Sequence, residues 1–297
     1  MATAPQVAVV VPVHNKIQLT ARFLESFREI DYPNYRVVIT DDGSTDGTAQ
    51  VLADRFPEVV VLAGDGNLWW SGGTNRGVEY ALREKFDYVL TINNDVQVAA
   101  DFLTRLVETA EAHPRSVIGS LICQMDEPEK VWAAGGYMDW EHDVLFQLHH
   151  WGESRESVIA AQSDPKPVDI LTGCGTLIPA ACFREVGTYD ARWFPQYHAD
   201  SEFVLRAGKA GYQALVALHA IIWNDCGNSS LVDSMLSPRS VFYWRPHYAI
   251  RHRYSTRPFA ATRHLAEASW LRQRRVAAAA VRKLAGAKRR VVSRLAG

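Results

Sequence analysis

The first half of the chain alternates between short continuous apolar runs and longer segments with helical spacing. Continuous apolar runs indicate strands covered on both faces, and apolar residues recurring every three or four positions indicate helices. The predicted strands are 7–13, 35–40, 59–62, 88–92 and 117–123, and the predicted helices are 17–30, 46–56, 74–85 and 100–113. This order predicts an α/β fold in which a mostly parallel sheet is flanked by helices.

The second half of the chain has a less regular pattern. Residues 125–168 are rich in Trp, His and charged residues, which predicts a long connection over the sheet that could include a hairpin. Strand and helix patterns resume at Ile170, and the pattern is helical from about residue 233 to the end. We therefore predict a domain at 1–232 and a helical C-terminal extension at 233–297.

Polar clusters follow three of the predicted strands. They are His14-Asn15 after the first strand, Asp41-Asp42 after the second and Asn93-Asn94-Asp95 after the fourth. In parallel sheets, ligands bind beyond the carboxyl ends of the strands, so these clusters predict one ligand site. The alternative is that they only form turns and cap the following helices, but two adjacent acids exceed what one helix cap needs.

The average composition is ordinary for a globular protein, but the charge is unevenly distributed. The chain of 297 residues is 47% hydrophobic and 22% charged, with a net charge of −1, which gives no reason to expect nucleic acid as the main partner. No acidic residue follows Glu267, while Arg and Lys recur from 272 to 294. This basic tail is either a solvated helix or a peripheral anchor on an anionic membrane surface.

The four cysteines and the apolar runs bear on localisation. No cysteine forms a C-x-x-C pair, no signal peptide is visible, and no apolar run reaches the length of a membrane span. We therefore expect a cytoplasmic protein with free thiols, placed at the inner face of the membrane if the tail acts as an anchor.

Seven sequence blocks follow one another in the order typical of family 2 glycosyltransferases, and the chain resembles that family over about residues 7–230. The blocks are VVVPVHN (9–15), VVITDDGSTDGT (37–48), GNLWWSGGTNRG (66–77), TINNDV (91–96), LTGCGTLIP (171–179), VGTYDARWF (186–194) and HADSEFVLRAGKAGY (198–212). The sequence is most similar to bacterial rhamnosyltransferase-like members that build surface polysaccharides. The resemblance implies a GT-A fold, which is Rossmann-like.

The same resemblance implies a function. A family 2 member of this kind is an inverting glycosyltransferase that moves a sugar from a UDP- or dTDP-sugar, with dTDP-rhamnose as one candidate donor, to a hydroxyl of a glycan or lipid-linked acceptor. It implies a divalent cation, Mg²⁺ or Mn²⁺, and leaves a homodimer open. The alternative is a nucleotide-sugar-binding protein without transfer activity.

The resemblance also implies roles for individual residues. Asp42 would meet the nucleotide base, Asp95 would hold the metal, and Asp200 would be the general base, although Asp200 could also cap the helix that follows it. The remaining donor-side residues are Pro12, His14, Asn15, Asp41, Asn67, Trp70, Gly72, Gly73, Asn75, Asn93 and Asn94, and the acceptor-side residues are Gly173, Trp193 and Glu202.

Three positions depart from the family pattern. Asn93 and Asn94 stand where carboxylates are frequent, and Ala199 stands where Glu is usual. Because amides carry no charge, we expect the metal to bind weakly when no nucleotide is present.

Overall fold

A computed structural model describes residues 4–140, 146–225, 249–250 and 253–254. The strands are β1 (Val7–Val13), β2 (Tyr35–Asp41), β3 (Val60–Ala63), β4 (Tyr88–Thr91), β5 (Val96–Val98), β6 (Ser116–Gln124), β7 (Val131–Ala133), β8 (Gly136–Met138), β9 (Phe146–Leu148), β10 (Lys166–Pro167), β11 (Thr176–Pro179) and β12 (Gln213–Asn224). The helices are α1 (Ile17–Phe27), α2 (Thr48–Arg55), α3 (Trp69–Arg83), α4 (Phe102–Ala112), α5 (Arg155–Ala161), α6 (Ala180–Val186) and α7 (Ala199–Lys209).

A ten-stranded mixed sheet forms the centre of the fold. Its main path runs in the order β10-β12-β6-β11-β4-β1-β2-β3, and β5 and β7 pair with β12 and β6. Strands β1, β2, β3, β4, β6 and β12 share one direction, and β5, β7, β10 and β11 run in the other. The predicted α/β class is confirmed, and the antiparallel strands come from parts of the chain that the sequence pattern did not resolve.

The continuous apolar run of β1 is explained by burial on both faces of the sheet. Val9 and Val11 are fully buried in a core cluster with Phe23 and Phe27 of α1. The alternate residue Val10 lies under α3, where a Cβ at Gly77 would overlap its side chain. Helix α3 can therefore approach β1 closely only because Gly77 has no side chain.

The structure differs from the predicted secondary structure in two segments. Helix α3 begins at Trp69, five residues before its predicted start, because Gly72 and Gly73 lie inside the helix and not in a loop before it. The segment 125–168, predicted as an irregular connection, contains the β8–β9 hairpin that we allowed for, together with β7, α5 and β10.

The chain divides into two compact units, Met1–Ser229 and Ser230–Gly297. In the second unit the structure describes only 249–250 and 253–254, which are helical. The predicted boundary between 232 and 233 and the predicted basic tail lie in residues that the structure does not describe, so both stay predictions. Among the described residues no helix is long and apolar enough to cross a membrane.

Candidate functional site

The sheet directions place several chain segments at one edge. The carboxyl ends of β1, β2 and β4 lie there, as the sequence predicted. Because β11 is antiparallel to β4, the loop 172–175 that precedes β11 lies at the same edge. Strand β12 ends there as well, beside the start of β5. This edge therefore combines the predicted strand-end residues with segments from the second half of the chain.

Hydrogen bonds join the loops that follow β1 and β2. Nδ1 of His14 lies 2.7 Å from the Asp42 carbonyl oxygen. The Asn15 amide donates to Ser44 Oγ at 2.7 Å, and Asn15 Oδ1 accepts from the Thr45 amide at 2.9 Å. Asn15 has a φ of 58°, a left-handed conformation that Asn tolerates better than most residues. His14 and Asn15 thus shape the loops that border the predicted donor site.

Asp41 and Asp42 have different partners. Asp41 Oδ1 accepts from the Ser44 amide at 3.0 Å and forms the turn after β2. Asp41 thus has the turn-forming role that the sequence offered as the alternative for both acids. Asp42 is only 6% exposed and accepts three backbone N–H groups, from Gly66 at 2.8 Å, Leu68 at 2.9 Å and Trp69 at 3.1 Å. Asp42 therefore fixes the loop 64–69 in place.

The loop held by Asp42 presents an aromatic side chain. Trp69 has a φ of 57°, an unfavourable value for a bulky residue, and its side chain is 44% exposed. Such backbone outliers persist where the surrounding structure holds them, and here the hydrogen bond from the Trp69 amide to Asp42 does so. Asn67, predicted as a donor-site residue, lies in the same loop, where it is exposed and bonds to Asp65.

Three predicted donor-side residues of α3 serve packing. The Gly72 amide donates to the Leu68 carbonyl at 3.0 Å, inside the first turn of the helix. A Cβ at Gly73 would lie 3.0 Å from Cβ of Pro12, so this glycine allows α3 to contact the end of β1. The Asn75 side chain bonds to both the amide and the carbonyl of Tyr189, at 2.9 and 2.8 Å.

Trp70 connects the strand-end residues with the second half of the chain. Its Nε1 donates to Asn93 Oδ1 at 2.9 Å, and its backbone amide donates to Gln196 Oε1 at 3.2 Å. The ring occupies the space that a side chain at residue 173 would need, so only glycine fits there. The structure therefore brings Trp70, Asn93 and Gly173 together.

Asp95 has the properties of an unsatisfied cation ligand. Its Oδ1 is buried and has no hydrogen-bond partner in the described part of the chain. Burial raises the pKa of Asp95, Asp225 raises it further, and Lys16 opposes the shift. The side-chain nitrogen of the neighbouring Asn94 donates to Thr20 Oγ1 at 2.8 Å.

The residues present fit a divalent cation bound together with a diphosphate. An orphaned buried carboxylate oxygen needs a partner, and a cation would provide one. Within the described ranges no three His, Cys, Asp or Glu side chains group closely enough to hold a metal ion by themselves. Mg²⁺ sites commonly combine one or two carboxylates with phosphate oxygens and waters, so a small set of protein ligands is consistent with this chemistry.

Asp200 lies at the start of α7 and faces the same loop as Trp70. Its Oδ2 accepts from the Gly173 amide at 2.6 Å, and its Oδ1 accepts from the Ser201 amide at 2.7 Å. Burial raises the pKa of Asp200, and the hydrogen bonds from Ser201 and Gly173 lower it in part. Oδ2 has a further lone pair, so the carboxylate retains the capacity to accept a proton.

The segment before Asp200 is also well defined. His198 has a φ of 63° immediately before α7, and its ring stacks on Phe146 of β9 at a centroid distance of 4.0 Å. The β8–β9 hairpin, which the sequence did not connect with the site, therefore supports the start of the helix that carries Asp200.

Cys174 lies in the loop 172–175 at the same edge, and the sequence did not single it out. Burial raises the pKa of its thiol, and the carboxylates of Asp95 and Asp200 raise it further. The thiol is therefore within electrostatic range of the predicted metal ligand and of the predicted base. Its position next to Gly173 in the LTGCGT block was the available signal.

The predicted acceptor-side residues Glu202 and Trp193 form contacts within the protein. Glu202 is only 1% exposed and forms an ion pair with Arg206 at 2.9 Å, and Arg206 also donates to the carbonyls of Val186 and Thr188. This partly buried pair joins α7 to the end of α6, and the burial of Glu202 leaves it almost no surface for an acceptor in this structure. Trp193 is half-buried, and its amide bonds to Asp190.

Comparison with known families identifies the class of protein. Residues 8–187, more than half of the chain, match the family described as Glycosyl transferase family 2, so the chain belongs to that family. The resemblance noted from the sequence blocks is thereby confirmed.

Two curated relatives are informative. The chain is 29% identical over 261 residues to an N-acetylglucosaminyl-diphospho-decaprenol L-rhamnosyltransferase of Mycobacterium tuberculosis (strain ATCC 25618 / H37Rv), covering 82% of this chain and 80% of that protein. It is 28% identical over 220 residues to the succinoglycan biosynthesis protein ExoA of Rhizobium meliloti (strain 1021), covering 71% and 60% of the two chains. Its relatives therefore include an L-rhamnosyltransferase and a succinoglycan biosynthesis protein.

Solved structures confirm the GT-A fold. A crystal structure of GalNAc-T7 with UDP, GalNAc and Mn²⁺ superposes with a TM-score of 0.60 at 15% identity, covering 81% of this chain and 50% of that one. A crystal structure of S. aureus TarS 1–349 superposes with a TM-score of 0.51 at 15% identity, covering 78% and 63%. This chain thus spans between half and two thirds of the length of these two structures. At 15% identity, the similarity establishes the fold alone.

The Asp42 contacts predict the behaviour of the 64–69 loop. Asp42→Ala removes the acceptor of three amides, and each buried donor left unpaired costs about 1–3 kcal/mol. We expect faster hydrogen exchange at the amides of residues 66, 68 and 69, measured by NMR or mass spectrometry. The matched control is Asp65→Ala, which removes an exposed carboxylate from the same loop. Unchanged protection in Asp42→Ala would show that other contacts hold the loop.

Proposed function

We propose that this protein is an inverting glycosyltransferase that moves a sugar from a UDP- or dTDP-sugar to a hydroxyl of a glycan or lipid-linked acceptor in cell-surface polysaccharide synthesis. The observation that carries the proposal is the position of Asp200. Its carboxylate bonds to the Gly173 amide, which packs against Trp70, and Trp70 bonds to Asn93 at the end of β4. A proton acceptor thus lies beside the strand ends where the family binds its donor.

The proposed reaction needs one base. Asp200 accepts the proton of the acceptor hydroxyl while that oxygen attacks the anomeric carbon of the donor. A new glycosidic bond forms, the bond between the anomeric carbon and the phosphate oxygen breaks, and the nucleoside diphosphate leaves with the electron pair. A divalent cation, Mg²⁺ or Mn²⁺, would supply charge neutralisation for the leaving diphosphate when bound at Asp95.

Burial suits Asp200 to this role. A base is most effective when its pKa lies near the working pH, and a carboxylate with an ordinary pKa is a weak proton acceptor. Burial raises the pKa of Asp200 above the ordinary value of an aspartate. The two N–H donors also fix the orientation of the carboxylate, so little reorganisation is needed when the proton moves.

The donor pocket is proposed around the Asp42 loop. Asp42 Oδ1 accepts one hydrogen bond from Gly66 and has a second lone pair, which can accept the N3–H of uracil or thymine. The exposed indole of Trp69, anchored by the same aspartate, offers an aromatic surface beside the base. We propose dTDP-rhamnose as a donor because of the similarity to an L-rhamnosyltransferase.

Membrane association is proposed from the sequence of the basic tail. An acceptor carried on a lipid would make it useful to hold the enzyme on an anionic surface, where each nearby Lys or Arg contributes about 1 kcal/mol. Deleting residues 268–297 should abolish sedimentation of the protein with anionic vesicles. Neither the truncated nor the full-length protein should sediment with zwitterionic vesicles. Equal partitioning of the truncated and full-length proteins at low and high salt would remove the tail from this role.

Asp200→Asn tests the proposed reaction directly. The substitution keeps the shape of the side chain and removes the proton acceptor, so the turnover number should fall by about 10²–10⁴. The affinity for the nucleotide should change little, because the base contacts the acceptor. The matched control is Asp54→Asn, at an exposed aspartate of α2.

The pH dependence provides a second reading of the same experiment. Because burial raises the pKa of Asp200, the wild-type rate should decline with falling pH at a higher pH than the value of about 4 at which an ordinary aspartate protonates. Turnover near the wild-type level in Asp200→Asn would rule out this base. If the wild-type protein binds the nucleotide-sugar but transfers to no acceptor, the alternative of a binding protein gains support.

A further inference from the structure

The end of β12 brings a second carboxylate to Asp95. Strand β12 pairs antiparallel with β5, so that Asn224 lies opposite Val96. The ladder continues by one more hydrogen bond, from the Asp225 amide to the Asp95 carbonyl at 3.1 Å. Two aspartates that are 130 positions apart in sequence are therefore neighbours at the edge of the sheet where β1, β2 and β4 end.

We propose that Asp225 is a second protein ligand of the divalent cation, and that Asp95 and Asp225 together form a two-carboxylate site for a cation bound to a nucleoside diphosphate. The inference rests on the proposed function, because the diphosphate provides the remaining ligands. It adds a residue outside the strand-end motif that the sequence resemblance identified.

The two aspartates are neighbours across the β12–β5 ladder, because the Asp225 amide donates to the Asp95 carbonyl at 3.1 Å. Residues opposite each other in an antiparallel ladder project their side chains from the same face of the sheet. Like charges held together at the edge of a partly buried site repel each other, and a divalent cation between them converts that repulsion into attraction.

Asp95 itself has an unsatisfied carboxylate oxygen. Oδ1 of Asp95 is buried and lacks a hydrogen-bond partner among the described residues. Buried polar atoms in native proteins are almost always paired, so an orphaned carboxylate oxygen indicates a ligand that the protein alone does not provide. The orphaned oxygen and the adjacent carboxylate are independent observations that point to the same cation.

The strand-end motif supplies a single carboxylate. Asn93 and Asn94 are neutral amides, and Asn93 Oδ1 already accepts from Trp70. Asp225 supplies the second negative charge that these amides do not. Two carboxylates leave open positions for phosphate oxygens and water, the arrangement that Mg²⁺ and Mn²⁺ commonly adopt.

The test is Mn²⁺ binding by the full-length protein, followed by electron paramagnetic resonance of free Mn²⁺ during titration. The probes are Mn²⁺ alone, Mn²⁺ with dTDP and Mn²⁺ with UDP. We expect the wild-type protein to bind Mn²⁺ more tightly when its preferred nucleotide is present. Asp225→Asn should weaken this binding by at least about tenfold, as Asp95→Asn should. The control Asp54→Asn, at the exposed aspartate of α2, should bind like the wild-type protein.

A conservative variant separates ligation from folding. Asp225→Glu keeps the carboxylate and the backbone amide that bonds to Asp95, so it should bind Mn²⁺ with the nucleotide more tightly than Asp225→Asn does. The melting temperatures of the two variants show whether both are folded. If Asp225→Glu and Asp225→Asn lose Mn²⁺ binding equally, the carboxylate is not a ligand and the proposal is wrong.

Two other outcomes would overturn the proposal and leave the proposed function standing. In the first, Asp225→Asn binds Mn²⁺ as the wild-type protein does while Asp95→Asn does not, which makes Asp95 the one carboxylate that matters. In the second, the wild-type protein binds the nucleotide and transfers sugar but shows no Mn²⁺ binding. Failure of the proposed function is distinct, because it appears as absent transfer with intact Mn²⁺ and nucleotide binding.

Discussion

The hydrogen bond from the Gly173 amide to Asp200 is the contact on which the rest of the site depends. It fixes the proposed base to the loop before β11, and β11 lies beside β4 because the two strands pair antiparallel. The Trp70 ring fills the space that a side chain at Gly173 would occupy. A single close approach thus sets the position of the base relative to the residues at the end of β4.

The same constraint explains how the fold assembles a site from distant segments. Parallel strands deliver the loops after β1, β2 and β4 to one edge, and antiparallel β11 and β5 add their starting loops to that edge. Each loop is then held by buried polar contacts. Asp42 fixes the loop 64–69, Asn75 fixes the backbone at Tyr189, and Arg206 with Glu202 fixes the end of α6.

The sequence was a good guide to the strands and a poorer guide to side-chain roles. Apolar runs located β1, β2 and β4 because both faces of these strands are buried, and the polar residues at their ends are the basis for predicting a ligand site there. The glycine-rich pattern misplaced the start of α3, because Gly72 and Gly73 lie inside that helix. Sequence spacing alone also could not show that the Asp42 carboxylate accepts hydrogen bonds from the backbone of the loop 64–69.

Residues supplied by long-range pairing were beyond sequence reasoning for a physical reason. Asp225 reaches Asp95 only through the antiparallel pairing of β12 with β5, a three-residue strand too short to give a recognisable pattern. Cys174 reaches the two carboxylates through the placement of β11. Neither neighbourhood leaves a periodic signal in the chain.

The central claim is that a nucleotide-sugar binds at this edge of the sheet with its diphosphate toward Asp95 and its anomeric carbon toward Asp200. A crystal structure of the full-length protein with dTDP and Mn²⁺, or with UDP and Mn²⁺, tests it most directly. The account predicts that the base lies against the Asp42 loop and that the cation joins the diphosphate to Asp95. A nucleotide bound away from the ends of β2 and β4, with Asp42 and Asp95 both distant from it, would contradict the account.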